Sequence, residues 1–140
     1  MVKIIIDTNF LFLPFEKKLD IFSILERSFH YKIAILSSTI QEIEAIKNDR
    51  TQKLKTRVNA KILLEIIKRK NIEVIETQEK YVDRAIIEIV SRDPKAYIVA
   101  TGDKELRKKL QEIGILGLIY LRKNSVLEFY DLCQGTAKIL

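Results

Sequence analysis

Histidine and cysteine are nearly missing from these 140 residues: His30 and Cys133 each stand alone. One cysteine permits neither an intrachain disulfide nor a thiolate zinc cluster, and its place near the C-terminus suits a small packing residue. One histidine excludes paired-imidazole nuclease chemistry, HExxH metalloproteases and His-rich metal centres. His30 sits in ERSFHYK, between a helical stretch and a strand, which argues against a catalytic role. Any catalysis must therefore rest on other groups, and 19 Asp and Glu are present.

Proline (two) and glycine (four) are also scarce, and no repeat, low-complexity stretch or composition shift marks a linker. With 47% hydrophobic and 31% charged residues the chain has the makings of one globular domain with a core. We read that domain as residues 1–131, followed by a short tail, 132–140. No apolar run approaches the ~18 residues of a membrane span. The opening MVKIIIDTN reaches an aspartate too early for a signal peptide. The expectation is a cytoplasmic protein without a membrane partner.

Charge, in contrast, is plentiful, with a net of +6. Nine basic residues lie from Lys47 to Lys70 against two acidic ones, Asp49 and Glu65. Such a stretch is either a solvated helix face or a phosphate-contacting surface. Lys53, Lys55 and Arg57 within it are candidate RNA contacts, with Lys104, Arg107 and Lys108 as a second path.

Four apolar runs, Val2–Ile6, Ile33–Leu36, Ile72–Ile75 and Tyr97–Ala100, are nearly continuous, as strands covered on both faces are; a fifth, LGLIYL, spans 116–121. Helical spacing separates them: Leu19, Phe22 and Leu25; Ile40, Ile43 and Ile46; Leu54, Val58, Ile62 and Ile66; Val82, Ile86 and Ile89; Leu106 and Leu110. The alternation predicts an α/β fold, a three-layer α/β/α sandwich around a mostly parallel sheet of roughly five strands. In such sheets ligands bind outside the carboxyl ends of the strands.

Four acids follow those strand ends: Asp7, Glu42, Asp83 and Asp103. Three have a plainer explanation. Thr39-Ile40-Gln41-Glu42 fits a capping box, Asp83 can complement a helix dipole, and Asp103 can cap the helix opened by Lys104. Asp7 follows Ile4-Ile5-Ile6 toward the interior with no obvious helix to cap, and an isolated buried acid is costly. Four carboxylates at one edge repel one another unless a cation joins them. Oxygen-only ligands select Mg²⁺ or Mn²⁺ over zinc, and beside a basic surface the natural substrate is a phosphodiester attacked by a metal-activated water.

IIIDTN at 4–9, IQEIEAI at 40–46, VDRAI at 82–86 and IVATGDKEL at 98–106 together resemble the four motifs of the PIN domain family of metal-dependent ribonucleases, over nearly the whole chain. The resemblance implies a parallel sheet between helices and an acidic quartet at Asp7, Glu42, Asp83 and Asp103 that is both catalytic and metal-binding, with Asn9 and Thr101 as supporting polar residues. IVATGDKELRKKL followed by GLIYLR is similar to the branch holding the small-subunit processome endonuclease and its archaeal relatives. Toxin ribonucleases usually carry an aromatic residue where Leu106 stands. The implied function is an endoribonuclease acting on single-stranded or structured RNA, in rRNA maturation or as a toxin-type enzyme. The partners to match are a second copy of the chain, an antitoxin or a ribosome-assembly factor. Phe10, Phe12 and Phe15 either serve such a contact or pack the core. Arg84, where many members have a second acid, and Gly102, where many have a polar residue, depart from the pattern.

The alternative is a catalytically weak or inactive RNA-binding scaffold, since folds outlive their chemistry. A receiver-like phosphotransfer domain fits less well: Asp7 has no acidic neighbour, and Lys123 is a loose match for the lysine that class requires. Neither GxGxxG nor GxxxxGK[ST] occurs, which argues against a nucleotide-binding α/β domain.

Overall fold

In the computed structural model, which describes residues 1–123 and 125–140, the five apolar runs become parallel strands. They are β1 (Lys3–Ile6), β2 (Lys32–Leu36), β3 (Glu73–Ile75), β4 (Tyr97–Ala100) and β5 (Gly117–Arg122). Their order is β3-β2-β1-β4-β5, and every neighbouring pair is parallel. Along β1, Ile4 and Ile6 enter one apolar cluster and Ile5 enters another on the opposite face. Burial on both faces is why these strands read as unbroken apolar runs rather than alternating ones.

Two further strands, β6 (Val126–Asp131) and β7 (Thr136–Ile139), continue the sheet from β5 in antiparallel register. The expected sheet of about five strands is thus corrected to seven among the described residues. The segment 132–140, read as a tail, contains β7, and Leu140 N donates to Leu127 O at 2.9 Å. All four β7 residues are exposed, so no apolar run announced that strand. Cys133, expected as a packing residue, is exposed between β6 and β7.

One face of the sheet carries α1 (Thr8–Leu11), α2 (Leu13–Glu16), α3 (Ile21–Ser28), α4 (Ser37–Asn48) and α5 (Leu54–Arg69). The opposite face carries α6 (Val82–Arg92) and α7 (Lys104–Ile113). Val82, Ala85, Ile86, Ile89 and Val90 are all buried, the i, i+3, i+4, i+7 stripe that docks α6 on the sheet. Each of the Val and Ile side chains stabilises the fold by about 1.5–3 kcal/mol on burial. The segment NFLFLPF turns out to be core: Phe10 is buried, and Phe12 and Phe15 pack against the first cluster.

Two glycines set the path into β5. Gly114 ends α7 at φ 83°, a left-handed conformation that costs glycine least. At Gly117 a Cβ would lie 2.3 Å from the Phe129 ring and 2.9 Å from Tyr130 O, so only glycine lets β6 approach. Among the described residues no helix is long and apolar enough to cross a membrane.

Candidate active site

The chain leaves β1 for β2 on one side and returns to β4 on the other, which makes the β1–β4 junction the switch point of the sheet. Asp7 N extends that ladder by donating to Ala100 O at 2.9 Å. The side chain of Asp7 is therefore delivered to the carboxyl edge, where Oδ1 accepts Thr8 N at 2.9 Å and Oδ2 accepts the Thr101 hydroxyl at 2.8 Å. Asp7 does occupy the N-cap of the four-residue α1, contrary to expectation, but its bond goes only to the adjacent amide.

On the other side of the junction Thr101 Oγ1 accepts Asp103 N at 3.1 Å. Asp103 caps α7 as expected, with Oδ1 accepting Glu105 N at 2.9 Å and Leu106 N at 3.1 Å. Among the described residues its Oδ2 has no protein donor, so capping engages half of this carboxylate.

The capping box at Thr39 does not form. Helix α4 starts earlier, at Ser37, with no side-chain cap, and Thr39 is buried inside its first turn. Glu42 is thereby released from a local role. Asp83 lies in the first turn of α6, which also lacks a side-chain cap. Its carboxylate is favoured there by the helix dipole.

All four acids, together with Asn9, line one cleft of about 380 Å³. Thr101 lies beneath it, fully buried. The cleft also takes in Ser38, Gln41, Lys80 and Tyr81, none of which sequence reasoning assigned to the site. Tyr81 is 57% exposed, and Lys80 and Arg84 approach its ring at 6.0 and 5.1 Å. An aromatic residue between cations just ahead of Asp83 was the available signal. Arg84 rests on Tyr81 and is not part of the cleft lining, and a Cβ at Gly102 would meet nothing within 4 Å.

Burial is the main reason the Asp7 carboxyl titrates above its ordinary value; bonds from Thr101 and Thr8 oppose this, and Asp103 and Asp83 add repulsion. Glu42 is also raised, first by burial and then by Asp7 and Asp83. The acids thus share one electrostatic field. The Thr8 hydroxyl opposes the rise at Glu42, and Ser38 Oγ and Thr39 Oγ1 are buried near the same strand ends without hydrogen-bond partners among the described residues. Among the described residues no three His, Cys, Asp or Glu side chains converge as ligands of one ion. An oxygen-only set of this looseness fits a hard cation that keeps several of its waters, as Mg²⁺ does, better than a closed cage.

The basic candidates divide. Lys104, Arg107 and Lys108 line a second depression that begins one residue beyond Asp103. Lys53, Lys55 and Arg57 do not line the acidic cleft. They lie at the α4–α5 connection, where Arg57 Nε donates to Lys47 O at 3.1 Å.

Fold and cleft define a class: an α/β protein with a carboxylate cluster where the two central parallel strands end. Residues 4–124 match the family described as PIN like domain, and the chain belongs to that family. It is 34% identical over 125 residues to ribonuclease VapC4 of Methanocaldococcus jannaschii, covering 88% of this chain and 93% of that protein. The solved structure of the PIN domain endonuclease Utp24 aligns with a TM-score of 0.69 at 26% identity, over 88% of this chain and 87% of that one.

Proposed function

We propose that the chain is a divalent-cation-dependent endoribonuclease of the cytoplasm, acting in RNA processing such as rRNA maturation or as a toxin-type ribonuclease. The observation that carries this is the gathering of Asp7, Glu42, Asp83 and Asp103 around one cleft, with Asp7 and Glu42 raised above their ordinary values first by burial and then by neighbouring acids of the group. Similarity to a ribonuclease and to a PIN domain endonuclease supports the same reading.

The four carboxylates would hold Mg²⁺ or Mn²⁺, which when bound neutralises charge on the phosphoryl oxygens and acidifies a water for attack. The protein's own part is positional. Thr101 fixes Asp7 relative to Asp103, and the α7 cap holds one Asp103 oxygen while leaving the other toward the cleft. Asn9 and Gln41 offer neutral donors at the cleft wall. Lys80 at the mouth attracts the phosphate backbone, and Tyr81 offers a ring face to a base. Leu54, Val58 and Ile62, exposed at four-residue spacing along α5, leave an apolar strip for a second copy, an antitoxin or a ribosome-assembly partner.

Asp103→Asn is the discriminating variant. Asn caps about as well as Asp, so the melting temperature should hold within the scatter of surface substitutions. Cleavage of a single-stranded RNA with Mn²⁺ should be lost, as it should be in the parent with EDTA. Activity surviving both treatments refutes the reading. A parent that binds RNA without cleaving it under any cation is instead the inactive scaffold, for which the loose spacing of the acids is the supporting observation.

A further inference from the structure

We infer that the depression between α7, β5 and β6 is a nucleotide subsite, binding the RNA backbone and one base beside the cleavage cleft. The inference rests on the ribonuclease reading and extends it to substrate residues away from the scissile bond. The depression holds about 380 Å³ and is lined by Lys104, Arg107, Lys108, Gln111, Tyr120 and Tyr130, over Leu118.

Its construction follows from the fold. Positions 104, 107, 108 and 111 share one face of α7 by helical spacing. Leu118 and Tyr120 stand on the same face of β5, and Tyr130 on β6 is directly opposite Leu118. The buried residues of the α6–α7 layer include none from β6 or β7, so that layer ends over β5 and leaves a trough.

Arg107 carries the argument. Its guanidinium lies 4.8 Å from the centre of the Tyr120 ring, and its Nε is buried without a hydrogen-bond partner among the described residues. A buried guanidinium N–H is costly to leave unpaired, and a phosphate oxygen is the ligand its fork fits best. Among the described residues the ion pairs are Lys3–Glu73, Lys70–Glu26, Arg92–Glu88 and Arg122–Glu128. Lys104, Arg107 and Lys108 enter none of them, so three cations line the trough outside any salt bridge, with Glu128, opposite Tyr120 in the ladder and paired to Arg122, as the neighbouring acid. Burial, and next the neighbouring Glu128, raise the Tyr120 phenol above its ordinary value, keeping it a neutral platform under the guanidinium. Tyr130 is half-buried, and no cation or aromatic ring among the described residues stacks on it, which leaves it open to a base. Asp103 caps α7 immediately before Lys104, so consecutive residues at the start of α7 line the acidic cleft and the trough.

The test is direct binding in EDTA, where no cleavage occurs. Fluorescence anisotropy with a labelled single-stranded oligoribonucleotide compares the full chain with Arg107→Gln, Lys104→Gln/Lys108→Gln and Tyr130→Leu, and an unlabelled dinucleotide competes at the acidic cleft. Arg107→Gln should weaken oligonucleotide binding about tenfold, the loss of one charged hydrogen bond. The lysine pair should lower the slope of log affinity against log salt by about 0.7 per cation removed. Affinity and slope unchanged in all three variants overturn the proposal. So does equal weakening for oligonucleotide and dinucleotide, which places Arg107 in support of α7 and Asp103. Trough-dependent binding by a parent that never cleaves upholds the subsite and sinks the ribonuclease reading alone.

Discussion

Thr101 donates its hydroxyl to Asp7 Oδ2 at 2.8 Å across 94 positions of chain, and Thr101 Oγ1 in turn accepts the amide N–H of Asp103 at 3.1 Å. One buried hydroxyl thus sets two acids from the two central strands in a common frame. Thr101→Val keeps the shape but leaves the Asp103 amide without its acceptor and Asp7 without its donor. The expected cost is about 1–3 kcal/mol, read by chemical denaturation, with cleavage reduced beyond what the lost stability explains. Thr101→Ser should retain most activity, and equal effects of the two substitutions would refute this role.

The raised titration of Asp7 has a consequence for stability. An acid whose folded pKa exceeds its unfolded one binds more protons in the native state, so stability falls as pH rises through that interval. Without divalent cations, Asp7→Asn should therefore melt higher than the parent at neutral pH, by about 3 °C for each kcal/mol relieved. The advantage should shrink as pH drops into the ordinary carboxylate range. Adding Mn²⁺ should raise the parent's melting temperature more than the variant's, because a ligand stabilises only the state it binds. A variant less stable than the parent at neutral pH without cations contradicts this account.

The basic α4–α5 connection combines a structural and a binding expectation. Arg57→Ala removes the bond to Lys47 O that holds the end of α4 and should cost about 1 kcal/mol. Lys53→Ala and Lys55→Ala should stay within about 0.5 kcal/mol of the parent, since both side chains are exposed. If RNA crosses this surface, removing all three cations lowers the salt slope of binding. An unchanged slope assigns the path to the α7 face.

Gly117 and Gly102 should respond oppositely to a side chain. Gly117→Ala forces a Cβ into the Phe129 ring and the backbone of β6, an overpacking cost of about 1–3 kcal/mol. Gly102→Ser enters open space and should leave the melting temperature and cleavage near parental values. A folded, unperturbed Gly117→Ala in a thermal melt would show that β6 is free to shift.

Much of the architecture was legible from local pattern. Continuous runs such as Ile4-Ile5-Ile6 and Ile98-Val99-Ala100 announce strands covered on both faces, and Asp7 and Asp103 could be placed at their carboxyl ends by counting. The strands β6 and β7 were not legible, because VLEFYD mixes buried and half-buried positions and TAKI is wholly exposed. Nor was the start of α4 at Ser37, which dissolves the apparent capping box and frees Glu42 for the cleft.

By itself, then, the amino-acid order determined the five parallel strands, the five longer helices and which residue types follow the strands, since periodicity and burial act over a few residues. Only the tertiary structure decided that β1 lies beside β4, that Thr101 joins Asp7 to Asp103, that Tyr81 faces the acids, and that Arg107 stacks on Tyr120 with a buried nitrogen unpaired. Those neighbours are far apart in sequence, and they meet because burying both faces of one sheet beneath two helical layers fixes the strand order, which no local preference encodes.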